Sequence, residues 1–204
     1  VEMDLRESEE RYRHVVEDQT EFICRFTPDG THIFVNEAYC RYFGYTREEI
    51  IGSRFKPNIP SEDRQKVARM ISSLTPEHPF GTIEQRIIMP DGTIRWQRWV
   101  DRAIYHPVGN LKEYQSVGRD ITEIKRIEQA LRESEEKYRT VFENTGTAVV
   151  VVESNRIISL ANTEFERLSG YSKDEIEGKK TWTEFVLRED LERMLAQHEL
   201  RRRN

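Results

Sequence analysis

One segment of this chain occurs twice, and that constrains its architecture more than any other feature. Leu5-Arg6-Glu7-Ser8-Glu9-Glu10-Arg11-Tyr12-Arg13 returns as Leu131-Arg132-Glu133-Ser134-Glu135-Glu136-Lys137-Tyr138-Arg139. The register then holds without a gap. Asn36 falls on Asn162, Gly44-Tyr45 on Gly170-Tyr171, and Glu49-Ile50-x-Gly52 on Glu175-Ile176-x-Gly178. About a third of the positions from 5 to 52 match their partners. Solenoid repeats run at roughly 20–50 residues, so this longer period marks a domain-sized unit. The 204 residues suit one large or two small domains, and the repeat points to one module used in series.

The charged fraction is 34% and the hydrophobic fraction only 36%. So few apolar residues leave part of the chain as exposed helix. The net charge of −5 gives no footing for nucleic-acid binding. Arg201-Arg202-Arg203 is a tight basic run without interleaved aromatics, which reads as a solvated helix end. The longest apolar run, Ala148-Val149-Val150-Val151-Val152, reads as a buried strand. It is far short of the ~20 residues of a membrane span, so no membrane contact is expected. Cys24 and Cys40 are isolated thiols, which fit a reducing cytoplasm. The five histidines lack metal-ligand spacing, so no metal site is expected. There is no Gly-rich phosphate loop, and the carboxylates sit on helical faces that read as exposed. The expected role is sensing and relay without catalysis.

Residues 1–18 carry Val1, Leu5, Ser8, Tyr12 and Val15 at steps of four and three, a seam for a two-helix contact. Phe22, Cys24 and Phe26 alternate on one strand face. Thr27-Pro28-Asp29-Gly30 turns the chain into a return strand, His32–Val35. Asn36 suits the N-cap of a helix over 37–43, and Thr46-Arg47-Glu48-Glu49 has the form of a capping box. Ser61 opens a further helix with Val67, Met70, Ile71 and Leu74 on its apolar face. Strands are expected over 82–89, 93–105 and 114–120, forming an antiparallel meander. From Ile121 to Phe142, Ile124, Ile127, Leu131, Ser134, Tyr138 and Val141 step by three and four, a coiled-coil pattern. The second copy repeats hairpin, capped helix and Gly-Tyr turn, and its last helix starts near Leu187. It has no counterpart of 82–120, so the chain is expected to be a fragment cut inside its second module.

The combination resembles the PAS sensor domain. Asp29-Gly30, Asn36-Glu37-Ala38, Phe43-Gly44-Tyr45-Thr46-x-x-Glu49-x-x-Gly52, Asp91-Gly92-Thr93-Ile94-Arg95-Trp96 and Gly118-Arg119-Asp120-Ile121-Thr122-Glu123 carry the likeness. It implies an α+β fold, with one five-stranded antiparallel sheet in order 2-1-5-4-3 and helices on one face. The expected division is a helix over 1–20, a first domain over 21–120, a linker helix over 121–143 and an incomplete second domain over 144–204. A ligand space between sheet and helices would be lined by Phe22, Cys24, Phe34, Tyr39, Phe43, Phe55, Met70, Arg86 and Trp96. Asp120, Ile121 and Thr122 would relay a signal into the linker helix.

The reactive cysteine of flavin-binding relatives is absent from Gly52-Ser53-Arg54-Phe55, and the helix over 61–74 has no histidine. Covalent flavin and haem are therefore disfavoured, and no cofactor is expected. Trp96 and Trp99 are three apart, so they face opposite sides of a strand. Trp99 is expected to point outward against Val15. Leu5, Tyr12, Val15, Trp99, Ile124, Ile127, Leu131 and Tyr138 are the expected contacts of a homodimer. The resemblance implies a signalling module, of the histidine-kinase two-component type, that senses a cue, for which a small-molecule ligand is one candidate, and relays it through the linker helix; a kinase domain would lie outside this chain. The alternatives are a passive dimerisation module and a flavin or redox sensor.

Overall fold

The computed structural model describes residues 14–202, with side chains to residue 197. The chain divides into two compact units between Glu128 and Gln129.

In the first unit, strands β1 (Phe22–Phe26) and β2 (His32–Val35) form the hairpin. Helices α1 (Glu37–Phe43), α2 (Arg47–Ile50) and α3 (Ser61–Ser72) follow. Strands β3 (Phe80–Ile88), β4 (Ile94–Tyr105) and β5 (Leu111–Asp120) complete an antiparallel sheet in the order β2-β1-β5-β4-β3. Helix α4 runs from Thr122 to Glu143. The second unit carries β6 (Val150–Val152) and β7 (Ile158–Ala161), paired with each other. Helices α5 (Thr163–Ser169) and α6 (Lys173–Ile176), a short 3-10 turn and α7 (Arg188–Arg202) follow.

The repeated residues build the same joint in both units. Asn36 is buried and caps α1: its Oδ1 accepts from Tyr39 N at 3.0 Å and from Ile23 N at 2.9 Å. Its Nδ2 donates to the carbonyls of Glu21 and Val16. Asn162 does likewise with Phe165 N, Val149 N and the carbonyls of Thr147 and Phe142. Beside each asparagine lies a glutamate. Glu17 accepts from Glu37 N at 2.8 Å and pairs with Arg47 at 2.7 Å. Glu143 accepts from Thr163 N at 3.0 Å and pairs with Lys173 at 2.6 Å. Each glutamate thus places negative charge at the start of the capped helix, where the helix dipole favours it. The matching sequence positions therefore encode one hydrogen-bonded joint, made twice.

Helix α3 protects the free edge of the first sheet. The buried Asp63 carboxylate accepts from the backbone N–H of Arg86 at 2.8 Å, and Asn58 O accepts from Ile88 N at 2.8 Å. An edge strand capped in this way cannot pair freely with another chain.

The core lies on the sheet face beneath α1. Phe22, Cys24, Val35, Tyr39, Phe43 and Trp99 are buried there in contact. Trp99 lies flat over Gly118, where an added Cβ would meet the indole at 2.5 Å. The smaller core of the second unit is Ile158, Ala161 and Ile176, with Phe165, Trp182 and Phe185 against it.

Candidate functional site

Antiparallel register sets out the inner face of the first sheet in rows. Cys24 pairs with Val35 and with Ser116; Ser116 pairs with Asp101; Asp101 pairs with Gly81. The adjacent row holds Phe22, Gly118, Trp99 and Ile83. Above these rows lies a cavity of about 240 Å³. The sheet supplies Cys24, Phe26, His32, Ile83, Gln85, Trp99, Asp101 and Ser116. Tyr39 of α1, Phe55 to Pro57 of the following loop, and Val67 and Ile71 of α3 close the remaining sides. The aromatic walls are interlocked. Tyr39 meets Phe43 at 4.5 Å between ring centroids, and Phe43 meets Phe55 at 5.4 Å.

The lining is apolar except for a small polar group. Asp101 is 5% exposed and accepts a hydrogen bond from the Ser116 hydroxyl. Burial pushes its carboxyl up to about 6, and the Ser116 bond opposes that. Burial, with the nearby Asp101 charge, also pushes the Cys24 thiol up, so it stays protonated. His32 is buried, with Nε2 3.4 Å from the Tyr39 hydroxyl. Burial lowers its pKa, which keeps the imidazole neutral. Burial raises the Tyr39 phenol as well. At neutral pH the ionisable groups around Asp101 on the inner face are therefore uncharged.

Of the nine expected lining residues, Cys24, Tyr39 and Phe55 reach this cavity. Phe22 and Phe43 lie in the packed core beside it. Four others are elsewhere. Phe34 pairs with Arg25 on the opposite face, because the Cys24–Val35 pair fixes the inner one. Met70 packs over Gly81 instead of facing the cavity. Arg86 is on the outer face, held by Asp63 at 2.9 Å and Glu62 at 2.6 Å, so its anionic partners come from α3. Trp96 is also outward, 5.8 Å from Arg86 and 5.6 Å from Lys125 by ring centroid. The expected orientation of the two tryptophans is thus reversed. Trp99 is 7% exposed in the core and is no dimer contact, because Gly118 opposite it leaves room for the indole on the inner side. Leu5 and Tyr12 lie outside the described residues. Val15, Ile124, Ile127, Leu131 and Tyr138 are exposed. Asp101, Ser116, Gln85 and His32 were not anticipated as lining residues; the parity of β4, once Trp99 is placed inward, would have found Asp101.

The start of α4 is tied to the sheet and to α1. The Asp120 carboxylate accepts from the Tyr42 hydroxyl at 3.0 Å and from Thr122 N at 2.8 Å. Burial raises its pKa, but these bonds and Arg95 outweigh that and hold it below the ordinary range. Burial also lifts the Tyr42 phenol to about 12. Thr122 Oγ1 accepts from Trp96 N at 2.9 Å, and Ile121 between them is buried. Lys125, one turn on, pairs with Glu84 of β3 at 2.8 Å.

The family model described as the PAS fold matches residues 10–121 and 136–203. This chain belongs to the PAS family. It is 32% identical over 127 residues to the two-component sensor PprA of Pseudomonas aeruginosa, covering 62% of this chain and 14% of PprA. Sporulation kinase E of Bacillus subtilis is 23% identical over 177 residues, covering 86% of this chain and 23% of the kinase. The chain therefore spans a quarter or less of either relative's length. A sensory box histidine kinase/response regulator structure from Burkholderia thailandensis superposes with a TM-score of 0.53 at 22% identity, over 64% of this chain and 98% of that one. The likeness to that structure establishes the fold. The PAS match and the sensor relatives support a signalling role. Among the described residues no helix is long and apolar enough to cross a membrane.

Proposed function

We propose that this chain is the sensing and relaying part of a cytoplasmic two-component-type protein. A small molecule occupies the cavity of the first PAS unit, and its binding energy differs between two arrangements of sheet and α1. The difference passes through Asp120-Ile121-Thr122 into α4, which carries it toward an output domain of the histidine-kinase type. The observation that carries this reading is the junction. One carboxylate binds the Tyr42 hydroxyl of α1 and the first turn of α4 together. A shift of α1 is therefore felt at the helix start. Coupling of about 1–3 kcal/mol changes a downstream equilibrium roughly 5- to 150-fold.

Helix α4 pairs with its counterpart in a second copy. Ile124, Ile127, Leu131, Tyr138 and Val141 are exposed apolar residues at heptad-compatible steps on an otherwise charged helix, which supports that pairing. The test is the double variant Ile124→Asn with Leu131→Asn, followed by sedimentation equilibrium and by output of the full-length protein. Loss of the dimer together with loss of cue-dependent output is expected. A dimer and an output that both survive the change would end the relay reading.

A further inference from the structure

We propose that the cavity of the first unit takes a small organic cation, an ammonium or amidinium group on a compact apolar body, with Asp101 as its counter-ion. This rests on the reading of the cavity as a ligand site.

Asp101 is a carboxylate in an unusual place. It is 5% exposed and faces a largely apolar cavity. Its Oδ1 is bound by the Ser116 hydroxyl. Among the described residues, the side-chain hydrogen bond to this carboxylate comes from Ser116, and no Lys or Arg forms an ion pair with it. The neighbouring side chains cannot supply the charge. His32 is neutral, and Cys24 and Tyr39 hold their protons. Lys56 at the rim is exposed and makes no ion pair with Asp101. A buried carboxylate without a counter-ion is costly, and a cation with hydrogen-bond donors offsets that cost.

The walls favour the same guest. Phe26, Tyr39, Phe55 and Trp99 line the cavity, and aromatic faces attract cations through their quadrupole. An anionic guest would set a second negative charge beside Asp101. A neutral guest would leave the carboxylate uncompensated. The volume of about 240 Å³ falls below the roughly 300–1,000 Å³ typical of drug-sized ligands, so the guest is compact.

The probes are phenethylammonium, phenethyl alcohol and phenylacetate, which share a skeleton and differ in charge. Each is titrated calorimetrically into the whole chain and into Asp101→Asn, which keeps an acceptor for Ser116. Binding of the cation in preference to the other two is expected. Its affinity should fall roughly 10- to 100-fold in the variant, as expected for losing one charge-assisted bond. Equal or tighter binding of the alcohol or the anion, or an unchanged cation affinity in the variant, overturns the proposal while leaving the cavity a ligand site. Failure of all three to bind also overturns it. Native mass spectrometry of the purified protein then decides the wider reading, which a co-purified ligand keeps and a bare mass ends.

Discussion

Replacing Asp101 by Asn should make the ligand-free protein more stable, by an amount that depends on pH. Burial raises this carboxyl from the ordinary 3.8 to about 6. The native state therefore holds the proton more tightly than the unfolded chain does. The stabilisation from that proton is complete below about pH 4 and is lost as pH rises through about 6. A gap of about two pH units, at roughly 1.4 kcal/mol each, corresponds to about 3 kcal/mol. Asn removes the titration but keeps the size of the side chain and the acceptor for Ser116. Wild type and variant should therefore differ little in acid and diverge to about 3 kcal/mol at neutral pH. With a urea slope of roughly 1–3 kcal/mol/M, the midpoint of the first unit rises by about 1–3 M. Fluorescence of Trp96 and Trp99 follows that unit, best in a background where Trp182 is replaced by Phe. Unfolding curves whose midpoints stay parallel from mildly acidic to neutral pH would refute the electrostatic argument. A variant less stable at neutral pH would mean that the carboxylate has a further stabilising partner in the folded state.

Three further outcomes test the scaffold. Asn36→Ala removes the acceptor for two backbone N–H groups and the donor to two carbonyls, all at a buried site; a loss of about 2–4 kcal/mol is expected by chemical denaturation. Gly118→Ala puts a methyl group into the Trp99 ring, so about 1–3 kcal/mol should be lost and the near-UV dichroism of the tryptophan should change. Asp120→Ala strips the Tyr42 hydroxyl and Thr122 N of their acceptor. Because folding lowers this carboxyl's pKa, the cost of roughly 1–3 kcal/mol should be fully present at neutral pH and fade as the pH falls through and below 3.8; denaturation of wild type and variant across that range measures it.

The scaffold was legible because it is written in backbone chemistry. Asn36, the Thr46–Glu49 capping box and the Gly44 terminus act on neighbours within a few residues, and the structure has all three. The orientation of β4 was not legible, and the reason is physical. Its outer residues include Ile94, Trp96, Val100 and Ile104, whereas its inner ones include Gln97, Trp99 and Asp101. Hydropathic alternation therefore points the wrong way, since the buried side is the more polar one. One error of parity turns every side chain of a strand to the other face. Trp96 took the place of Trp99, and Asp101 went unseen. On β3 the same inversion brought forward Arg86, whose partners Asp63 and Glu62 are more than twenty residues earlier in the chain. Local rules fail where polar side chains are buried, as they are on the inner face of β4.

The internal repeat separates the residues that build the fold from those that give the first unit its character. Asn36 and Asn162 or Glu17 and Glu143 make matching bonds at matching positions. The cavity residues do not recur. Cys24, His32 and Tyr39 correspond in register to Val150, Ile158 and Phe165, three side chains that cannot hydrogen-bond. Gly30, at the turn beside the cavity, corresponds to Arg156, which takes the positive φ of 73° without a glycine's freedom. If these polar groups served folding, the second copy would need them too. Instead its core is closed by Ile158, Ala161 and Ile176 with aromatics packed against them. Exchanging Cys24, His32 and Tyr39 for Val, Ile and Phe should thus leave the first unit folded with its joint at Asn36 intact. A triple variant that fails to fold would show that the polar lining belongs to the scaffold, and the division drawn from the repeat would not hold.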